Sequence, residues 1–171
     1  MARHAAPQRD ETVGVAMDAL RRIVQILRAS AGAAQHDFGL TGAQLFVLEV
    51  LAAAPGMSVG ELAARTFTHQ SSVSLVVRRL VQRGLVLKAA ARDDGRRVEL
   101  RVTNAGRAIV RRAPHVAQRR LLEGIVQLPA RDRRRVADAL AAVAAHMGRD
   151  HAPAPMMFER RRGGARRRKS A

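Results

Sequence analysis

From Thr12 to Phe38 apolar side chains return at Val13, Met17, Leu20, Ile23, Val24, Leu27, Ala31, Ala34 and Phe38, the three-and-four spacing of one helical face. The pattern predicts a long first helix. Gly39 suits a left-handed cap behind it. Thr41, with Gln44 three residues on, has the spacing of a capping box, and a second helix runs through Leu45, Val47, Leu48, Val50 and Leu51 to Pro55-Gly56. Ser58 and Glu61 repeat the capping spacing ahead of a short helix that carries Val59, Leu62 and Ala63 inward and ends near Arg65. Thr66-Phe67-Thr68 reads as a turn. Thr68 is the expected N-cap of a fourth helix, whose inward stripe is Val73, Val76, Val77 and Leu80 and which Gly84 ends.

From Leu85 the period changes. Leu85-Val86-Leu87 leads into small residues and the polar cluster Arg92-Asp93-Asp94-Gly95-Arg96, and Arg97 to Val102 then alternates polar and apolar strictly. Such alternation marks a strand with one buried face, so the two runs predict a β-hairpin with a charged tip. Thr103 caps a further helical stretch to about residue 127, with a kink or break at Pro114 because proline lacks the backbone donor. Pro129 opens a last helix with Val136, Leu140, Val143 and Met147 as its seam. After Arg149 apolar periodicity ends, and a basic, structureless tail is expected.

Two helices joined by a tight turn and followed at once by a hairpin describe a winged helix-turn-helix. Stepping about 100° per residue from Val73 puts Ser71, Leu75, Arg78 and Gln82 opposite the inward stripe of the fourth helix. Ser72, Ser74 and Arg79 flank them, and Gln70 lies near the N-terminal end. A major groove admits one helix, whose first residues reach base edges. There Gln pairs with adenine, Arg with guanine, Ser with either, and Leu75 can meet a thymine methyl. An Arg at a hairpin tip fits the narrow, strongly negative minor groove, which nominates Arg96 with its neighbours Asp94 and Arg97.

Charge strengthens this reading without carrying it. Lys and Arg number 31 against 14 acids, a net +17, so a polyanion is the expected partner. The excess lies mostly outside the winged segment, in residues 104–150 and in the tail 151–171, where seven basic residues stand against one acid. Absence of cysteine excludes disulfides, thiol nucleophiles and Cys-ligated metals. The six histidines lack the close spacing of a metal motif, and neither a nucleophile with its base, nor paired carboxylates, nor a phosphate loop is visible. The chain therefore reads as a non-enzyme without a cofactor. No stretch reaches the roughly 18–20 apolar residues of a membrane span, and no apolar run follows the first basic residues, so a cytoplasmic, nucleoid-associated protein is expected.

The segment from Gly39 to Val110 resembles the MarR family of bacterial regulators. The resemblance rests on the order Leu40-Thr41, Ser58-Val59-Gly60-Glu61-Leu62-Ala63, Gln70-Ser71-Ser72-Val73-Ser74, Arg83-Gly84-Leu85-Val86, Asp94-Gly95-Arg96-Arg97 and Leu100-Arg101-Val102-Thr103-Asn104-Ala105-Gly106. It implies a mainly α fold with a small β-hairpin wing and N- and C-terminal dimerisation helices. It also implies a homodimer that presents two recognition helices to successive major grooves of a palindromic operator in double-stranded DNA. Asp94 and Arg96 would be the wing pair, and a small aromatic or carboxylate effector would release a repressor from its operator. His36 is the candidate effector contact, in the cleft between the first helix and the winged part. The seams of the helices at about 12–38 and 103–147 exceed what a small winged domain can bury, which agrees with an interface.

The organisation expected is thus a flexible start at 1–10, a regulator domain at 11–149 with its DNA-binding part at about 41–103, and a tail at 150–171. The tail and the absence of Trp and Tyr set this chain apart within the resemblance. The competing reading is a sequence-independent architectural DNA binder that uses the tail.

Overall fold

The computed structural model describes residues 11–91, 97–113, 116–148 and 156–159. Helix α1 (Glu11–Phe38) is followed by α2 (Gly42–Ala53), α3 (Val59–Arg65), α4 (Gln70–Gln82), the strands β1 (Val86–Ala90) and β2 (Val98–Val102), and helices α5 (Asn104–Arg112), α6 (Ala117–Gln127) and α7 (Ala130–Met147). This is the mainly helical winged architecture that the pattern predicts.

Local chemistry sets most helix ends. Gly39 adopts φ +62°, and Gly39 and Leu40 donate their amides to the carbonyls of Gln35 and Ala34, which closes α1 in a left-handed cap. Thr41 and Gln44 form a reciprocal capping box at α2, as do Ser58 and Glu61 at α3. Gly84, at φ +68°, turns the chain out of α4. The helical stretch from Thr103 divides into α5 and α6 where a kink or break is expected at Pro114: Ala113 is extended (φ −79°, ψ 134°), the conformation a following proline imposes. Pro114 itself lies outside the described residues.

The core surrounds α2, whose Leu45, Val47, Leu48 and Leu51 are almost wholly buried together with Leu62, Val73, Val76, Leu80 and Leu100. α2 is buried all round, which explains its continuous apolar run. The amide of Val116, which precedes α6, donates to the carboxylate of Glu49 (3.1 Å), and that of Ala117 to the Ser30 hydroxyl (3.0 Å). α6 has no cap of its own, so side chains of α1 and α2 supply acceptors for its first turn, with a carboxylate favourably placed at the positive end.

β1 and β2 pair antiparallel with Val86 opposite Val102 and Ala90 opposite Val98. Met57 adds a one-residue third strand: its carbonyl accepts from the Leu100 amide (2.8 Å), and the Leu100 carbonyl accepts from the Gly56 amide (3.3 Å). A single paired residue has no periodicity to betray it in a sequence. The alternation of β2 buries Leu100 and Val102, but Val98 is half exposed because it pairs with Ala90 at the far end of the hairpin.

Outside this body the helices keep their apolar faces uncovered. In α1 only Leu27 and Ala34 are buried, while Val13, Met17, Leu20 and Ile23 are exposed, and no residue of α7 is buried. Against the expectation of a structureless tail from residue 150, Met156–Glu159 is packed. Met156 joins the main core at 5% exposure, and the Gln118 amide donates to the Met157 carbonyl (3.0 Å). A single methionine that finds an apolar groove needs no periodic pattern to dock.

Candidate nucleic-acid interface

The unit that faces outward is built from α3, the turn and α4. Thr66 closes α3 by donating its hydroxyl to the carbonyls of Leu62 (2.9 Å) and Ala63 (3.2 Å). Phe67 then takes φ +51° and projects at 73% exposure. Thr68 does not cap α4 as expected. Its hydroxyl turns back to the Thr66 carbonyl (3.0 Å), so His69 stands at the N-cap, with no side chain capping the helix. The open first turn leaves a positive helix end beside the reading face, where anions are favoured.

On α4 the inward stripe is the expected one: Val73, Val76, Val77 and Leu80 are all at or below 1% exposure. Burial of four branched side chains fixes the rotation of the helix. Gln70, Ser71, Leu75, Arg78 and Gln82 are in consequence exposed, with Ser72 and Ser74 half-buried beside them. Arg79 lies on the expected flank of that face but has a protein partner there. Its guanidinium is ion-paired with Glu159, and its side chain is only 22% exposed. Arg83, one turn on, donates to the Gly39 carbonyl (2.6 Å), so this flank of α4 is tied to the α1–α2 corner.

The hairpin stands beside α3. Its tip, with Asp94 and Arg96, lies outside the described residues. Arg97 stands where the tip joins β2, and its guanidinium turns inward, 3.6 Å from the Glu99 carboxylate, 3.9 Å from that of Glu61, and 3.4 Å from the Gly56 carbonyl. Arg97, one of the expected DNA contacts, lies between the wing and the start of α3 in this way with its side chain still 44% exposed.

The Ser58 backbone amide, the Ser58 hydroxyl and then Arg97 hold the Glu61 carboxyl below its ordinary value. A carboxyl depressed in the folded state adds stability above its unfolded pKa, and that stability is lost as pH falls through the folded value. Ser58→Ala is therefore expected to lower stability by about 1 kcal/mol at neutral pH and to flatten the acid loss. Urea unfolding at neutral pH and at about pH 3.5 reads both effects.

The His36 side chain, on the last turn of α1, is 89% exposed and hydrogen-bonds Asp37 (2.8 Å), while its neighbours Asp37 and Phe38 line a cavity of about 280 Å³. A second cavity of about 370 Å³ lies between α2, the helix-turn-helix turn and α6, lined by Phe46, Phe67, His69, Gln118, Leu121 and Met156 among others. The Gln118 amide oxygen is buried without a hydrogen-bond partner. Among the described residues no group of three or more His, Asp or Glu could hold a metal, and no helix is long and apolar enough to cross a membrane.

A rigidly packed helix with a polar, exposed face, set beside a braced hairpin, defines a winged helix-turn-helix DNA-binding protein. The family model described as MarR family matches residues 38–97. The HTH-type transcriptional repressor Rv2887 of Mycobacterium tuberculosis is 32% identical over 111 residues, which span 62% of this chain and 80% of that protein. A probable transcriptional regulator from Pseudomonas aeruginosa is similar in structure (TM-score 0.50, 25% identity, 78% of this chain and 97% of that one). So is a MarR family protein from Bacillus stearothermophilus (TM-score 0.52, 21% identity, 82% and 98%), a likeness of fold. The chain belongs to the MarR family and is a DNA-binding transcriptional regulator, in a family whose members are not enzymes.

Proposed function

We propose that the chain acts as a homodimeric repressor on a palindromic operator and that a small molecule releases it. The exposed stripe of α4 opposite its four buried residues carries this reading. Gln70, Ser71, Ser72, Ser74, Leu75 and Arg78 contact base edges in the major groove, Arg96 enters the minor groove with Asp94 as its partner, and the remaining Arg and Lys neutralise phosphates. Two such helices sit one helical turn of DNA apart, about 34 Å. The exposed seams of α1 and α7 support the dimer. Acting on chromosomal DNA, the protein works in the cytoplasm at the nucleoid.

The effector site favoured is the cavity of about 370 Å³ beside the turn. Its walls are largely apolar, and the Gln118 oxygen offers one buried acceptor, which suits a flat apolar molecule with a single donor. A ligand there presses on Phe67 to His69, the entry to α4, and weakens DNA binding only by favouring a different helix spacing.

Selection from a random duplex pool, followed by comparison of the recovered sequence with a scrambled one at about 150 mM salt, tests the reading. Preference for the recovered palindrome supports it. Equal affinities overturn it in favour of a sequence-independent architectural binder, which the net charge of +17 would allow. Arg96→Ala is expected to cost roughly 1–3 kcal/mol of operator binding with the fold intact; unchanged affinity removes the wing contact.

A further inference from the structure

Glu159 is the single acid in the last 21 residues, among seven Arg and Lys, and its side chain is 3% exposed. It accepts a hydrogen bond from the Thr41 hydroxyl (3.1 Å) and is ion-paired with Arg79 of α4. The segment that carries it is held by independent contacts. Met156 is in the core, the Met157 carbonyl accepts from Gln118, and the Glu159 amide donates to the Met156 carbonyl (3.1 Å). Phe158 lies so near α2 that a β-carbon on Gly42 would sit 3.4 Å from the Phe158 Cβ. Four residues thus form a fitted plug, and its one charged group meets the recognition helix.

Arg79 lies only about 40° around α4 from Leu75, one turn earlier on the exposed face. Cations on the flank of a recognition helix ordinarily meet phosphates rather than bases. A carboxylate buried against such a cation stabilises little by itself, since the desolvation of both offsets their attraction. It does cancel a positive charge beside the DNA face.

We propose that Glu159 is a built-in counter-charge that withholds Arg79 from the DNA backbone, so that docking of Met156–Glu159 restrains DNA affinity. Plug and phosphate compete for one guanidinium. The coupling is reciprocal: DNA that recruits Arg79 loosens the plug, and loss of the plug adds one phosphate contact. The inference rests on α4 being the DNA-facing helix but not on operator specificity.

The test measures binding of the full chain, Glu159→Gln, Arg79→Ala and the double variant to a fluorescent mixed-sequence duplex over a range of salt. Mixed sequence reads phosphate contacts, so the result stands whichever way the operator comparison falls. E159Q is expected to bind about fivefold more tightly at low salt, with the slope of log affinity against log salt steeper by about one. R79A alone changes little, and adding R79A to E159Q cancels the gain. Unchanged affinity and slope in E159Q overturn the proposal, as does a loss from R79A alone equal to its loss in the E159Q background. Hydrogen exchange on the unaltered chain gives a readout that needs no variant to fold. Saturating duplex should speed exchange in the peptide that spans Met156–Glu159, and undiminished protection there overturns the proposal.

Discussion

Leu140→Glu is expected to convert the protein to a monomer at micromolar concentration and to reduce operator affinity by about 100-fold or more. Leu140 is 55% exposed on α7, with Val143 at 54% and Met147 at 84% on the same seam, and no residue of α7 is buried within the protomer. Each such side chain is worth about 1.5–3 kcal/mol when it leaves water. A two-fold interface meets any substitution twice, so two carboxylates enter one apolar seam. The protomer should fold as before, because Leu140 is not part of the buried core or of the side chains packed against it. DNA binding falls because the second half-site is then no longer reached at the high effective concentration that a linked partner gives. Light scattering after size exclusion reads the assembly, and a titration of the selected duplex reads the affinity. Asp138→Asn, about 160° away around the helix, should leave both unchanged. A monomeric L140E that kept full operator affinity would remove the homodimer from the proposed mechanism.

The sequence made the ends of helices and the faces of the buried ones legible, because both depend on residues within a turn or two. Thr41 with Gln44, Ser58 with Glu61, and Gly39 each act on backbone groups at most a few residues away. The stripe Val73, Val76, Val77 and Leu80 is buried as its period requires, so the stripe facing outward follows by rotation. Illegible features depend on distant partners or on competition between near neighbours. Thr68 and His69 are adjacent candidates for one cap, and the left-handed Phe67 with the Thr68-to-Thr66 hydrogen bond decides between them. Arg79 lies on the flank where rotation puts it, but the partner that occupies it is eighty positions later in a run otherwise basic. Likewise the inward turn of Arg97 depends on Glu61, which approaches it only when the hairpin folds beside α3.

The second large effect is expected at Gly106. The first turn of α5 enters the body directly against the start of the wing. Thr103 accepts from the Gly106 amide (3.1 Å) and donates its hydroxyl to the Gly84 carbonyl (2.8 Å), while its own amide donates to the Leu85 carbonyl (3.0 Å). These bonds draw α5 in so closely that a β-carbon at Gly106 would lie 2.4 Å from the Leu85 carbonyl oxygen and 2.7 Å from Val102 Cγ1. A backbone oxygen that follows Gly84 and precedes β1 cannot swing aside as a side-chain end can. In an open helix position Gly→Ala gains up to about 1 kcal/mol. Here overpacking reverses the sign, and Gly106→Ala should destabilise by roughly 2–3 kcal/mol, a fall in Tm of about 4–12 °C for a chain of this size. Gly60→Ala provides the opposite case: its methyl would meet only the Ser58 hydroxyl at 3.9 Å, so no loss and a gain of a few tenths of a kcal/mol are expected. Thermal unfolding of the two variants side by side measures the difference. If G106A proved as stable as the parent chain, the close seating of α5 on the base of the wing would be wrong, and with it the route by which the helical frame holds the hairpin at a fixed distance from α4.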